Sequence, residues 1–212
     1  MRHQLSLTRR RGLLGLAAAA TALQVAKQPA WADAPNQAAT APVQRLADAL
    51  LRVMKQNLPF EQRVSSLAPV IEQTFDLDAI LAASVGSSWP TLPGDQKAAL
   101  SAAFRRYTFA SYASSFDKFD GQRFEISPTV RSVGNGEVVV QSKIVPADGS
   151  ATPLHYVMRD GPSGWKAVDV LAGGTISRVA VQRSDFRSLL ASGGVPALMT
   201  ALQRKVANLQ AA

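Results

Sequence analysis

The chain has 212 residues, 47% of them apolar, with 23 Lys and Arg against 15 Asp and Glu and no Cys. This suits one globular domain with an appended segment, and it excludes disulfides and thiolate metal ligands. The net charge of +8 is weak support for a nucleic-acid partner, because residues 1–32 hold five basic residues and no acid, leaving 18 basic against 15 acidic beyond them.

Residues 1–32 read as an export signal. Arg9, Arg10 and Arg11 form a charged head, and residues 12–25 form an apolar run of signal length, too short to span a bilayer. Ala30-Trp31-Ala32 fits the small-x-small rule for cleavage before Asp33. Arg10-Arg11-Gly12-Leu13-Leu14 also fits a twin-arginine signal, so Sec and twin-arginine export both remain open. Beyond it no second long apolar run exists, and the mature chain reads as soluble and periplasmic. Residues 33–42 are small and polar and read as a disordered linker ahead of a single domain over 43–212.

Pro42 is expected to open the first helix, with Val43, Leu46, Leu50, Val53 and Met54 on one stripe. A second helix from Glu61 turns Val64, Leu67, Ala68 and Ile71 inward, and Pro69 should kink or split it. A third, short helix follows Asp76 as cap, and residues 85–90 read as a loop. A long helix then runs from about Asp95 to Phe119. With Leu100 as zero at about 100° per residue, Phe104 and Tyr107 lie within about 40° of it, whereas Tyr112, Phe116 and Phe119 cluster at roughly 100–160°. The apolar face swings round partway, as in a helix packed between two layers or one whose second half lines a cavity.

From Gly121 the period becomes that of strands. Strands are expected over 123–133 and 137–145, joined by Asn135-Gly136, a two-residue hairpin signal. Leu154, Tyr156 and Met158 alternate with His155, Val157 and Arg159 in a third strand. The turn 160–164 leads to a fourth over 165–171. Short turns between consecutive strands make an antiparallel meander, so the fold class is α+β: a twisted four-stranded sheet packed by N-terminal and C-terminal helices. Two helices close the chain, over 175–190 and 195–208, separated by Ser192-Gly193-Gly194.

The chemistry is sparse. Past the leader there is one histidine, His155, expected to face solvent from its strand, with a general base as the alternative. No zinc set, Gly-x-Ser-x-Gly elbow or phosphate loop is present, so neither a catalytic nor a metal residue is assigned, and no cofactor is called for. Asp169 stands in the most apolar strand and needs a partner, expected to be Arg178 or Arg183 at the strand-to-helix corner, unless it is a polar group in a cavity.

An ordered set of motifs carries a resemblance. These are Trp89-Pro90-Thr91-Leu92, the helix ending Tyr107-Thr108-Phe109-Ala110-Ser111-Tyr112, Tyr156-Val157-Met158, Gly164-Trp165-Lys166-Ala167-Val168-Asp169-Val170 and Arg183-Ser184-Asp185-Phe186. Together they resemble the MlaC/toluene-tolerance family of periplasmic lipid-binding proteins over residues 43–210. The run 174–186 with Ser192-Gly193-Gly194 is more similar to its hopanoid-associated branch, HpnM. Where MlaC chains carry acid-Gly-Val-Ser, this one has Gly173-Gly174-Thr175-Ile176-Ser177.

The resemblance implies a cone-shaped, NTF2-like/MlaC-like fold. It also implies a carrier that shuttles a phospholipid or hopanoid between an inner-membrane ABC transporter complex and an outer-membrane complex, with transient membrane contact. The expected lining is Phe75, Ile80, Leu81, Phe104, Tyr107, Tyr112, Phe116, Val140, Tyr156, Met158, Val168, Val170 and Ile176. Each of these is equally ordinary core. Two other classes stay open: a small exported enzyme using Asp169 or His155 on a hydrophobic substrate, and a non-catalytic adaptor.

Overall fold

A computed structural model describes residues 34–211, so the expected leader lies outside the described residues. The helices α1 (Ala34–Gln56), α2 (Phe60–Thr74), α3 (Leu77–Val85) and α4 (Gly94–Ser115) precede the sheet. The strands are β1 (Arg123–Gly134), β2 (Glu137–Val145), β3 (Thr152–Gly161), β4 (Gly164–Ala172) and β5 (Ile176–Ser177), and α5 (Arg178–Ala211) closes the chain. Strand order follows chain order and every pairing is antiparallel. The meander is therefore as expected, with five strands in place of four.

The linker expected over 33–42 is helical from Ala34. Alanine has the best helix propensity, and Ala39 is fully buried with Val43, so packing holds this turn. Pro42 sits inside α1, where the Ala38 carbonyl it leaves without a donor belongs to an exposed residue. Pro69 likewise leaves α2 continuous, since Ser65 and Pro69 are both exposed and water can serve the freed carbonyl. The expected α1 stripe of Val43, Leu46, Leu50, Val53 and Met54 is buried.

Asp76 caps α3 by accepting the Ala79 N–H at 3.0 Å. Its own N–H donates to the Ala167 carbonyl, and Phe75 forms a parallel bridge with Ala167. The α2–α3 junction thus covers the edge of β4 that β5 leaves open. The loop expected over 85–90 is instead a 3-10 turn over Gly86–Thr91. Asn135 and Gly136 both adopt positive φ (53° and 74°), as a tight primed turn between β1 and β2 requires.

At the other end, the helix expected from residue 175 starts later, after a short strand. Ile176 and Ser177 pair with Ala172 and Leu171, and helix begins at Arg178 with the Ser177 hydroxyl accepting the Ala180 N–H at 2.9 Å. The two expected C-terminal helices are the halves of α5, which breaks at Gly193 and Gly194; the latter has φ +62°.

Candidate functional site

A cavity of about 450 Å³ lies between α3, α4 and the start of α5 on one side and the sheet on the other. Phe104, Tyr107, Thr108, Ser111, Tyr112 and Ser115 of α4 follow the i, i+3, i+4, i+7 rhythm of one helical face, and all line it. Ile144, Leu154, Val170 and Ala172 form the sheet wall, Phe75, Leu77 and Ile80 close one side, and Arg178, Val179 and Gln182 stand at the other. The volume is that of a small-molecule site.

The lining rings Phe75, Tyr112 and Phe116 are connected to one another and, at either end, to Tyr156 and Phe124 outside the cavity. Ring centroids run Tyr156 to Phe75 (6.1 Å), Phe75 to Tyr112 (5.6 Å), Tyr112 to Phe116 (6.0 Å) and Phe116 to Phe124 (6.0 Å). This series crosses from β3 over α4 to β1, fixing the wall in rigid rings. Two hydroxyls in the α4 wall turn back on their own helix: Thr108 donates to the Phe104 carbonyl at 2.9 Å and Ser111 to the Tyr107 carbonyl at 2.8 Å. The donors are used up locally, so these residues present mainly methyl and methylene surface.

The polar end gathers at the β4–β5–α5 corner. Asp169 accepts from the N–H groups of Val170 (2.7 Å) and Val179 (3.1 Å) and from the Ser177 hydroxyl. The expected arginine partners are not used. Arg183 donates instead to the Ala83 carbonyl at 2.7 Å, and Arg178 is exposed at the cavity, with no carboxylate in ion-pair range among the described residues. Backbone donors already satisfy the carboxylate, which is why it needs no cation. Burial holds the Tyr112 hydroxyl well above its usual pKa, Tyr156 adds to the rise and Arg178 offsets part of it. Burial raises Tyr156 as well. Both phenols therefore stay neutral in ordinary buffers.

Of the thirteen residues expected to line a pocket, Phe75, Ile80, Phe104, Tyr107, Tyr112, Phe116 and Val170 surround this cavity. Leu81, Val140, Tyr156 and Met158 are buried in the core beneath it, with the Phe75 ring packed over Tyr156. Val168 is displaced by a bulge: Val157 pairs with Asp169 and Met158 with Ala167, which leaves Val168 unpaired between them. It lines a groove with Val139 and Val157 instead. Ile176 is 58% exposed, because the chain at this point is an edge strand rather than the helix expected there.

Sequence reasoning missed Thr108, Ser111 and Ser115, since hydroxyl residues do not mark an apolar face. The available signal was their spacing from Phe104, together with the swing of the aromatic face.

His155 does not reach the cavity and is not solvent-facing. It is half-buried, with Nδ1 3.2 Å from the Ser142 N–H and 3.0 Å from the Ser142 carbonyl oxygen, and Gly174 packs beside its other nitrogen. Among the described residues no group of three or more His, Asp or Glu could hold a metal, and no helix is long and apolar enough to cross a membrane.

Comparison with known proteins bears on this geometry. The family model described as MlaC protein matches residues 44–204. A solved structure described as the phospholipid-binding protein from Ralstonia solanacearum, in complex with a phospholipid, aligns with a TM-score of 0.70 at 21% identity. The alignment covers 81% of this chain and 98% of that chain, and at this identity it establishes the shared fold. No curated protein sequence matches.

Proposed function

The chain belongs to the MlaC family, and from that premise we propose that it is a periplasmic lipid carrier, which takes hydrophobic tails into the cavity beneath α4. The observation that carries this reading is the cavity wall: mostly apolar and aromatic, with the Thr108 and Ser111 hydroxyls and the one carboxylate engaged within the fold. Such a wall favours transfer of hydrocarbon from water and offers no activated group. Each buried methylene contributes about 0.8 kcal/mol, so about a dozen give on the order of 10 kcal/mol before ordering costs. A head group would remain at the corner, where Arg178 offers a cation to a phosphate.

The phospholipid bound by the Ralstonia solanacearum protein supports the same cargo class here. The motif run at 174–186 favours a hopanoid as the second reading. In either case the protein would collect its cargo from an inner-membrane ABC transporter complex and deliver it to an outer-membrane complex, or carry it the reverse way, after export by a cleaved leader. An enzyme is the poorer reading, because Asp169 is engaged by backbone N–H groups and His155 is held away from the cavity.

Native mass spectrometry of protein purified from the cells that make it tests the proposal. A bound mass released as one phospholipid per chain supports a phospholipid carrier, and a released triterpenoid supports the hopanoid branch. A protein that stays empty even after incubation with total lipid extract overturns the carrier reading.

A further inference from the structure

An apolar row leaves the cavity and ends in water. Leu154 of β3 pairs with Ala172 of β4, and Ala172 pairs with Ile176 of β5. Directly opposed residues share a sheet face. Leu154 and Ala172 line the cavity, so Ile176 extends the same wall outward, where it is 58% exposed. A lone exposed isoleucine is unremarkable on most surfaces, but this one is the outer end of a cavity wall.

Its surroundings share a character. Gly173 and Gly174, both at positive φ, make the tight turn that carries β5 back along β4. Arg178 follows, exposed and without a carboxylate in ion-pair range among the described residues. One turn further along α5, Val181 is 42% exposed. From Val170 to Ser184 the chain contains two arginines and no acid. The two carboxylates that bound this run are engaged elsewhere, Asp169 by Ser177 and Val179 and Asp185 by Lys205 at 3.8 Å. Exposed apolar side chains beside an uncompensated cation, at the mouth of an apolar cavity, match the chemistry of a membrane interface. There hydrocarbon accepts the apolar side chains and anionic head groups accept the arginine.

We infer that the β4–β5–α5 corner, tipped by Ile176 and Val181, docks on the surface of an anionic phospholipid bilayer, so that the Leu154–Ala172–Ile176 row forms a continuous apolar path from bilayer to cavity. This inference rests on the carrier reading. It specifies the surface through which cargo passes and predicts that protein-free lipid is a sufficient partner.

The test measures vesicle association and lipid content separately. The purified protein is floated with vesicles of phosphatidylethanolamine and phosphatidylglycerol, alongside its Ile176→Asp and Val181→Asp variants. Bound lipid is measured on the same samples by native mass spectrometry. Withdrawing a half-exposed isoleucine from an interface should weaken association about tenfold. Val181→Asp, which lies outside the row, should keep the lipid content of the unsubstituted protein when both are loaded from detergent-dispersed phospholipid, and raising salt should weaken association of all three. Two results overturn the inference: an Ile176→Asp variant that floats as well as the unsubstituted protein, or an unsubstituted, lipid-loaded protein that does not float. The second would mean that a membrane protein must cover the corner. A protein that floats but never carries lipid would instead overturn the carrier reading, which keeps the two failures distinct.

Discussion

Asp169 of β4 accepts the backbone N–H of Val179 at 3.1 Å, so a carboxylate from the sheet caps the first turn of α5. The same side chain accepts from Ser177, whose hydroxyl in turn accepts the Ala180 N–H at 2.9 Å. Two caps in series thus fix the angle at which α5 leaves the sheet, and with it the position of Arg178 and Gln182 at the cavity. Asp169→Ala should lower stability by about 1–2 kcal/mol, and Asp169→Asn by less, since the amide keeps one acceptor oxygen. Urea denaturation gives the stabilities, and native mass spectrometry should show the Asn variant still loaded. An Asn variant of unchanged stability that lost its lipid would place this carboxylate in ligand recognition instead.

Ser111 offers a test of the cavity that leaves the core alone. It lies midway along the α4 wall and is half-buried. Ser111→Trp projects an indole into the cavity while the helix keeps its packing elsewhere. Bound lipid should fall at least about tenfold, the equivalent of about 1.4 kcal/mol or more. Far-UV circular dichroism and the thermal midpoint should stay near those of the unsubstituted protein. Undiminished lipid content would mean that hydrocarbon binds elsewhere.

Phe104 serves wall and core at once. It is 2% exposed, lines the cavity, and meets Phe186 edge-on with centroids 6.4 Å apart. Phe104→Ala should cost about 3–5 kcal/mol, because the void left behind borders α5 as well as the cavity. Ile176→Ser, at the exposed lip, should change stability by no more than about 0.5 kcal/mol. Paired chemical denaturation curves separate the two.

Arg105 of α4 clamps the two helices that flank the cavity's side wall. It meets both carboxylate oxygens of Asp78 in α3 at 2.9 and 2.8 Å, and Glu72 in α2 at 2.9 Å. Hydrogen bonding to Arg105 holds the Asp78 carboxyl below its usual range. The folded pKa is therefore lower than the unfolded one. The stabilisation is complete above the unfolded value near 4, and is lost as pH falls through the folded value. These groups are partly exposed, with Asp78 at 60%, so Arg105→Met should cost only about 1 kcal/mol at pH 7. The gap between variant and unsubstituted protein should close as pH approaches 2. A gap that stays constant with pH would assign the effect to packing of the arginine stem.

Local sequence alone determined the α1 stripe and the strands by periodicity, and the Asp76 cap, the Asn135-Gly136 turn and hence the meander by capping and turn chemistry, because each depends on residues close in the chain. It also placed an aromatic face on α4, and so Phe104, Tyr107, Tyr112 and Phe116 beside whatever that helix covers. Tertiary structure alone decided which apolar residues border empty space and which are packed solid. Val140 and Val170 look alike in sequence, yet Val140 is fully buried while Val170 meets the cavity. That difference is set by the distance between sheet and α4, which no local pattern encodes. The bulge at Val168 and the two-residue strand at Ile176 and Ser177 were hidden for the same reason. Each depends on register with a neighbouring strand, and a one-residue shift in register moves a side chain from the core to the opposite face.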